Sequence, residues 1–206
     1  MKHLVAKFKT LEIALKELEP FIRDGNLLQS GRPMNKLGDM LPREALANWL
    51  ICAALNCEYG SGRYCFSSDP TGGDGAIVDT SVEETWLTEH VMVPRIRSKK
   101  DAELGIVDRI LAAINLKRNK GLQYASGKQL IVLLDDGRGE WRPNDAANKL
   151  PAPLLFEDVW VVGLQQAQAG EYCYGISQLS SSYNNAPTWL LHIEKDFSKW
   201  SIKRIQ

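Results

Sequence analysis

The sequence predicts an α/β protein in which one mixed β-sheet is flanked by helices. Three observations support this prediction: several apolar runs have the length of a strand, two longer segments carry apolar residues at helical spacing, and one run is apolar throughout, as in a buried strand. These segments follow one another in the order helix, strand, strand, strand, helix, strand, and more strand-like runs come after them. Because a long helix separates the third and fourth strands, we expect it to cross the sheet.

Residues 1–41 are expected to form a helix followed by a loop. The predicted helix covers residues 10–24, since leucines recur there on one face: Leu11, Leu15 and Leu18. Residues 25–41 are rich in Gly and Asn, which favours irregular structure. Lys and Glu interrupt the N-terminus every few residues, and no apolar run reaches the roughly 18–20 residues that span a bilayer. We therefore expect a cytoplasmic protein with no membrane segment.

Residues 42–136 hold the elements on which the fold prediction depends. Pro42 suits the first turn of a helix, and the segment after it is apolar on most sides, so this helix should lie in the centre of the protein. The elements predicted after it are strands at 64–67, 76–79 and 85–93, a helix at 98–120 and a buried strand at 129–135. Ser98 starts a pattern close to a capping box, and Gly121 is a typical helix stop.

Residues 137–206 are predicted to add further strands. A short helix is expected at 143–150, and three strand-like runs follow it, FEDVWVVGLQ, EYCYGISQL and TWLLHIEKDF. No repeat, low-complexity tract or clear linker divides the chain, so residues 1–206 are interpreted as a single domain.

The charge balance argues against a molecule that attracts nucleic acid with its whole surface, since Lys and Arg number 25 and so do Asp and Glu. Basic residues gather locally at 94–100, 117–120 and 199–206, where phosphate contacts and solvated faces are both open interpretations. The four cysteines and three histidines lack the spacing of a zinc site. We expect the cysteines to be buried free thiols, as in a reducing compartment.

Two carboxylates stand out in the predicted hairpin GGDGAIVDTSVEETWLTEHVMVP, which covers residues 72–94. Asp74 precedes the first strand, and Glu89 lies inside the second, where a carboxylate is costly unless it is paired or binds a metal. Since adjacent strands are about 4.8 Å apart, the two side chains could share one cation if they face the same side. Alternation along the strand predicts Val91 on the face of Glu89 and His90 on the opposite face.

This arrangement resembles the PD-(D/E)XK phosphodiesterase superfamily, whose members include restriction endonuclease-like DNA nucleases. The resemblance covers residues 42–136 and depends on the order αβββαβ and on three acidic residues, Glu44 in the first core helix, Asp74 and Glu89. It implies a restriction endonuclease-like core in which Asp74 and Glu89 hold Mg²⁺ or Mn²⁺ and Glu44 helps indirectly. It also implies a lysine that assists the attacking water.

The lysine of the family motif is replaced in this chain. The motif has a lysine two residues after the second carboxylate, and that position is Val91. Some members of the superfamily supply the lysine from the crossover helix instead. Lys117 continues the stripe of Ile110 and Ile114 at helical spacing, so its side chain is expected to point at the sheet. Lys120 is the second candidate for the same role.

Each candidate also has a structural interpretation. Asp74 precedes a glycine and can belong to a turn. Glu89 can form a salt bridge with Arg95 or with a lysine of the crossover helix. Glu44 lies in the first turn of a helix, where the helix dipole favours a carboxylate. Lys117 can be a lysine at a helix end whose ammonium group reaches solvent.

Other polar residues near the predicted sheet are interpreted more simply. Asp79 is expected to be a turn or edge residue, and His90 a core or surface histidine. Asp135 and Asp136 end a buried strand, a location that often faces a ligand crevice in α/β sheets, although a turn explains them with fewer assumptions.

The first functional hypothesis is a divalent-metal-dependent nuclease that hydrolyses DNA, with RNA left open as a substrate. The alternative is a catalytically inactive subunit of the same fold that binds nucleic acid or a protein partner, either a second copy of itself or another chain. The acidic pair favours the first hypothesis, and the replaced lysine favours the second. In a third interpretation, the chain is an unrelated α/β protein whose hairpin carboxylates are structural.

Overall fold

A computed structural model of the chain describes residues 9–96, 103–135, 141–179 and 185–206. The α-helices that lie wholly within these ranges are α1 (Leu11–Arg23), α2 (Pro42–Tyr59), α3 (Ile106–Arg118), α4 (Leu122–Ala125) and α5 (Pro143–Ala147). The strands are β1 (Tyr64–Ser67), β2 (Gly75–Asp79), β3 (Glu84–Val93), β4 (Lys128–Leu134), β5 (Asp158–Gln168), β6 (Glu171–Gln178), β7 (Thr188–Ile193) and β8 (Trp200–Arg204).

These eight strands form one mixed sheet, in which the spatial order follows the chain from β1 to β8. β3, β4 and β5 are parallel to one another, and every other neighbouring pair is antiparallel. α3 lies in the connection between the parallel strands β3 and β4, as a crossover requires. The predicted α/β class and mixed sheet are therefore confirmed.

Apolar layers cover both faces of the sheet. α2 lies on one face, where Leu46, Trp49 and Ile51 are fully buried. It contacts strands at both ends of the sheet, β1 and β8, so the sheet curls around this helix. α3 packs on the other face, where Ile110 and Ile114 join the core formed with β3 and β4. This difference explains why α2 is apolar on most sides whereas α3 has one apolar stripe.

Most predicted elements lie within two residues of the observed ones. The helix predicted at 10–24 is α1, and the strands predicted at 76–79, 85–93 and 129–135 are β2, β3 and β4. The loop predicted at 25–41 contains two short 3-10 helices, Gly25–Gln29 and Asn35–Leu37.

The crossover helix α3 starts later than predicted. The sequence predicted a helix over 98–120, but Gly105 has extended dihedral angles (φ −60°, ψ 153°), and α3 starts directly after it. Glycine has the lowest helix propensity after proline, which explains the break at this position. Residues 97–102 lie outside the described ranges. After the helix, Gly121 has a φ of +93°, which fits the predicted stop.

The C-terminus contains a strand that was not predicted. β8 was interpreted only as part of a basic segment, yet it pairs with β7 along its whole length. The signal that could have identified it is the alternation of Trp200 and Ile202 with Ser201 and Lys203. The short helix predicted at 143–150 is α5, which ends three residues earlier.

The burial of the cysteines differs from the expectation based on composition. All four cysteines are free, but only Cys52 and Cys173 are buried. Cys57 is exposed and Cys65 is half-buried, so the expectation that all four are buried was wrong.

Within the described ranges, no helix is long and apolar enough to cross a membrane.

Candidate functional site

Asp74 and Glu89 lie side by side across the β2–β3 hairpin. Gly75 pairs with Thr88, so the residue before Gly75 lies next to the residue after Thr88. The Asp74 carboxylate accepts a hydrogen bond from the backbone N–H of His90 (2.7 Å), which fixes its orientation. The side chain of Glu89 is 7% exposed and that of Asp74 is 31% exposed. Solvent therefore reaches the pair from the Asp74 side.

Lys117 lies in the last turn of α3 and contacts both carboxylates. Its Nζ atom is 3.2 Å from Glu89 Oε2 and 3.7 Å from Asp74 Oδ2. Lys117 comes three residues after Ile114, and it therefore shares the helix face that packs on the sheet. Burial lowers the pKa of Lys117, but the Tyr124 hydroxyl and the two carboxylates outweigh burial and raise the pKa above its ordinary value. The predicted position of this ammonium group beside the carboxylates is confirmed.

Two residues outside the sequence predictions complete the surroundings of Glu89. Lys128, the first residue of β4, has its Nζ atom 2.7 Å from Glu89 Oε1. Tyr124, in the short helix α4, donates a hydrogen bond from its hydroxyl group to Glu89 Oε2. Burial by itself would raise the pKa of Glu89, but Lys128, Tyr124 and Lys117 together lower it below its ordinary value. Glu89 is therefore ionised at neutral pH.

Lys120 contacts Tyr124 rather than the carboxylates. Its Nζ atom is 3.3 Å from the Tyr124 hydroxyl oxygen and 4.4 Å from the centre of the ring. The residue is exposed, and no carboxylate of the described ranges lies within 4.0 Å of its ammonium group. Of the two candidates for the replaced lysine, only Lys117 is thus in contact with Asp74 and Glu89.

Glu44 lies near the site but has its own structural contact. It is the third residue of α2, and its carboxylate accepts a hydrogen bond from the backbone N–H of Leu41, with 3.0 Å between Leu41 N and Glu44 Oε2, as in a capping box. Burial raises the pKa of Glu44, the nearby charge of Asp74 adds to this effect, and the Leu41 hydrogen bond opposes it without cancelling it. The charge of Asp74 therefore acts on Glu44, while the hydrogen bond of Glu44 supports the start of α2.

The residues after Glu89 lie on the faces that strand alternation predicts. Val91 packs into the core beneath α3, on the face of Glu89. His90 lies on the opposite face, where its Nε2 atom is 3.3 Å from Asn48 Nδ2 and 3.3 Å from Thr88 Oγ1. Burial lowers the pKa of His90 to about 3, so the imidazole is neutral at physiological pH. His90 is a core histidine, as expected.

Asp79 closes the far end of the same hairpin. Both of its carboxylate oxygens accept hydrogen bonds from Arg63 Nε, at 2.9 and 3.0 Å. The backbone N–H of Ser81 donates to Asp79 Oδ1 at 2.9 Å, which stabilises the turn between β2 and β3. The Arg63 hydrogen bonds hold the pKa of Asp79 well below its ordinary value. Asp79 is the turn residue that the sequence predicted.

Asp135 also has a structural partner. It forms an ion pair with Arg95 (3.5 Å) and accepts a hydrogen bond from Gln29 (2.7 Å), which ties the end of β4 to two loops. The alternative pairing of Arg95 with Glu89 is therefore wrong. Asp136 lies outside the described residues.

The oxygen atoms of Asp74 and Glu89 suit a hard divalent cation. Mg²⁺ is commonly held by one or two protein carboxylates with water in the remaining positions, and Mn²⁺ prefers similar ligands. One cationic atom, Lys117 Nζ, already lies within 4 Å of both carboxylates, so a single positive charge can reach the two groups. No set of three or more His, Cys, Asp or Glu side chains in the described ranges could hold a metal ion. A divalent cation here would therefore depend on two carboxylates, on water, and on displacement of the Lys117 ammonium group.

Comparison with known proteins adds no family assignment. The sequence matches no model of a known protein family and no curated protein. Any assignment of function therefore depends on the residues of the site and their geometry.

Proposed function

We propose that the protein is a divalent-metal-dependent phosphodiesterase that hydrolyses DNA and has a restriction endonuclease-like core. The observation that carries this proposal is the convergence of Asp74, Glu89 and Lys117 from the two strands of a hairpin and from a crossover helix. Metal-assisted hydrolysis of a phosphodiester requires carboxylates for the cation and a positive charge near the phosphate. This cluster contains both.

The order of the elements supports the same proposal. α2, β1, β2, β3, α3 and β4 occur in this order along the chain, with the four-residue helix α4 between the last two, which agrees with an αβββαβ core. The carboxylate pair lies where β2 starts and within β3, and the lysine comes from the helix between β3 and β4. These are the locations from which the superfamily resemblance draws its site residues.

Each residue of the cluster has a distinct role in the proposed reaction. Asp74 and Glu89 would hold a divalent cation, which would supply stabilisation of negative charge on the phosphate and a more acidic water. The Lys117 ammonium group, displaced from direct contact by the cation, would remain next to the site, where it orients a water molecule and offsets the charge of the phosphate. The His90 backbone N–H holds the Asp74 carboxylate in one orientation. Val91, at the position of the motif lysine, contributes only to the core.

A non-catalytic subunit that binds nucleic acid or a protein partner is the second candidate. It is favoured by a specific observation: Lys128 contacts one carboxylate oxygen of Glu89, and Lys117 and Tyr124 contact the other. A buried carboxylate with all these partners is stable without a metal ion. The same fold can therefore persist where the reaction has been lost.

Metal titration and DNA cleavage, measured on matched variants, distinguish these candidates. Calorimetry with Mn²⁺ compares wild type, Glu89→Gln and Asp79→Asn, of which the last removes a carboxylate from the other end of the same hairpin. Single-stranded DNA, double-stranded DNA and RNA are then incubated with each protein and Mg²⁺ or Mn²⁺. We expect wild type and Asp79→Asn to bind Mn²⁺ and cleave DNA, and Glu89→Gln to do neither.

Each other result has a defined meaning. Metal binding that Glu89→Gln abolishes, without cleavage of any nucleic acid by wild type, would support the non-catalytic candidate. Cleavage of RNA but not of DNA would support the proposed reaction, with RNA as the substrate instead of DNA. Equal binding of Mn²⁺ by wild type and Glu89→Gln would contradict the assignment of the site.

A further inference from the structure

Three lysines from different elements surround one tyrosine ring beside Glu89. Their Nζ atoms lie 5.7 Å (Lys117), 4.4 Å (Lys120) and 4.7 Å (Lys128) from the centre of the Tyr124 ring. Lys117 comes from α3, Lys120 from the turn after it, and Lys128 from the start of β4. We refer to Lys117, Lys120, Lys128 and Tyr124 as the three-lysine cluster.

The ammonium groups of the three-lysine cluster differ in their ion-pair partners. Lys117 contacts Asp74 and Glu89, and Lys128 contacts Glu89. Lys120 contacts only the hydroxyl and ring of Tyr124 in the described part of the chain. Lys120, the exposed member of the cluster, is thus the ammonium group that has no carboxylate within 4.0 Å among the described residues.

Tyr124 holds Lys120 close to the other two lysines instead of leaving it extended in solvent. The Tyr124 hydroxyl accepts hydrogen bonds from Lys117 (3.0 Å) and Lys120 (3.3 Å) and donates one to Glu89. Glu89 contacts Lys117 and Lys128 and offsets the repulsion between them, whereas no carboxylate of the described ranges does so for Lys120. Lys120 therefore has N–H groups directed to solvent at the edge of the carboxylate pair, in a position that suits an anionic ligand.

We propose that Lys120 and Lys128, positioned by Tyr124, form a binding site for a phosphate group of a nucleic-acid strand, next to the carboxylate pair. Ammonium groups are common ligands of phosphate oxygens, and one phosphate would give Lys120 the anionic partner that it lacks among the described residues. The identity of the ligand rests on the proposed function, in which the adjacent carboxylates act on the same nucleic-acid strand. The phosphate can be an internal diester or a terminal monoester, because both present the same oxygen atoms to the lysines.

Binding of labelled single-stranded DNA in EDTA tests this inference without any cleavage. Fluorescence anisotropy compares wild type, Lys120→Gln and Lys203→Gln over a range of salt concentrations. Lys203 is the matched control, because it is exposed on β8, five strands away from β3 in the sheet. We expect Lys120→Gln to weaken binding several-fold and to reduce the slope of log K against log salt by about 0.7, the value for one contact with a single-stranded phosphate. Lys203→Gln should leave both quantities unchanged.

A second comparison identifies the source of the phosphate. If Lys120→Gln weakens binding of strands with a 5′-phosphate and a 5′-hydroxyl group equally, the site binds an internal diester. If the loss is confined to the 5′-phosphorylated strand, it binds a terminal phosphate. Both results support the site.

Three results would contradict the phosphate site without affecting the proposed reaction. Wild type would not bind DNA in EDTA, Lys120→Gln would bind DNA as tightly as wild type, or Lys203→Gln would lose as much affinity for DNA as Lys120→Gln. Failure of the proposed function looks different. Wild type would then cleave nothing with Mg²⁺ or Mn²⁺, while DNA binding in EDTA would still depend on Lys120.

Discussion

Lys117 is expected to compete with a divalent cation for the same carboxylates. Its ammonium group lies 3.2 Å from Glu89 and 3.7 Å from Asp74, so a metal ion held by both groups must displace it. Lys117→Met removes the charge and keeps an unbranched apolar side chain against the sheet. We therefore predict that Lys117→Met binds Mn²⁺ more tightly than wild type and yet fails to cleave DNA.

The size of this effect follows from the ion-pair distances. At an effective dielectric constant of about 20, an ammonium and a carboxylate group 3.2 Å apart attract by about 5 kcal/mol. Much of this attraction is offset by the desolvation of a lysine whose side chain is only 15% exposed. Hydrogen bonds to charged groups retain about 1.5–3 kcal/mol in measured cases. The lower value corresponds to a roughly tenfold smaller dissociation constant for Mn²⁺.

Calorimetry and a cleavage assay on the same preparations measure the two effects. Lys120→Met is the matched control, because it removes the same charge three residues away, where no carboxylate of the described ranges is within ion-pair distance. It should change Mn²⁺ affinity much less than Lys117→Met. Unchanged or weaker Mn²⁺ binding by Lys117→Met would refute the idea that the ammonium group lies at the position of the cation.

Two further predictions concern the acidic residues of the hairpin. Because the folded protein lowers the pKa of Glu89, its carboxylate stabilises the fold above the ordinary value of 4.5, and this stabilisation is lost as the pH falls below it. Urea unfolding should show Glu89→Gln about 1–3 kcal/mol less stable than wild type at pH 7, with the difference shrinking in acid; a constant difference would contradict the assigned pairing. Asp79→Asn should lower the melting temperature by about 2–4 °C, through loss of the Arg63 contacts, without changing Mn²⁺ affinity in calorimetry.

The part of the site that local patterns specify could be predicted from the sequence. β3 was recognisable as a strand with apolar residues on both sides of Glu89, so this carboxylate stood out, and strand alternation assigned Val91 and His90 to opposite faces. Lys117 was recognisable because it follows Ile110 and Ile114 at helical spacing on the face that packs on the sheet. Each of these predictions depends on periodicity within one element.

Lys128 and Tyr124 could not be predicted in this way, because their contacts depend on how separate elements pack. Lys128 lies near Glu89 since β4 pairs in parallel with β3, with Leu87 opposite Lys128. Nothing in the sequence around Lys128 specifies which strand is its neighbour or which register it takes. Tyr124 reaches Glu89 because the four-residue helix α4 directs its hydroxyl group back to the sheet. So short a helix has no apolar periodicity to detect.

The two ends of the hairpin show how a structural carboxylate differs from one available to a ligand. Asp79 has a side chain that is 3% exposed, and it accepts hydrogen bonds from Arg63 and Ser81 that close the turn. Asp74 has a side chain that is 31% exposed, and it accepts one backbone hydrogen bond, with Lys117 at the longer distance of 3.7 Å. The carboxylate that maintains the hairpin is thus enclosed, whereas the one beside Glu89 keeps oxygen atoms open to solvent. That contrast within one hairpin favours a cation-binding role for the Asp74 end over a purely structural one.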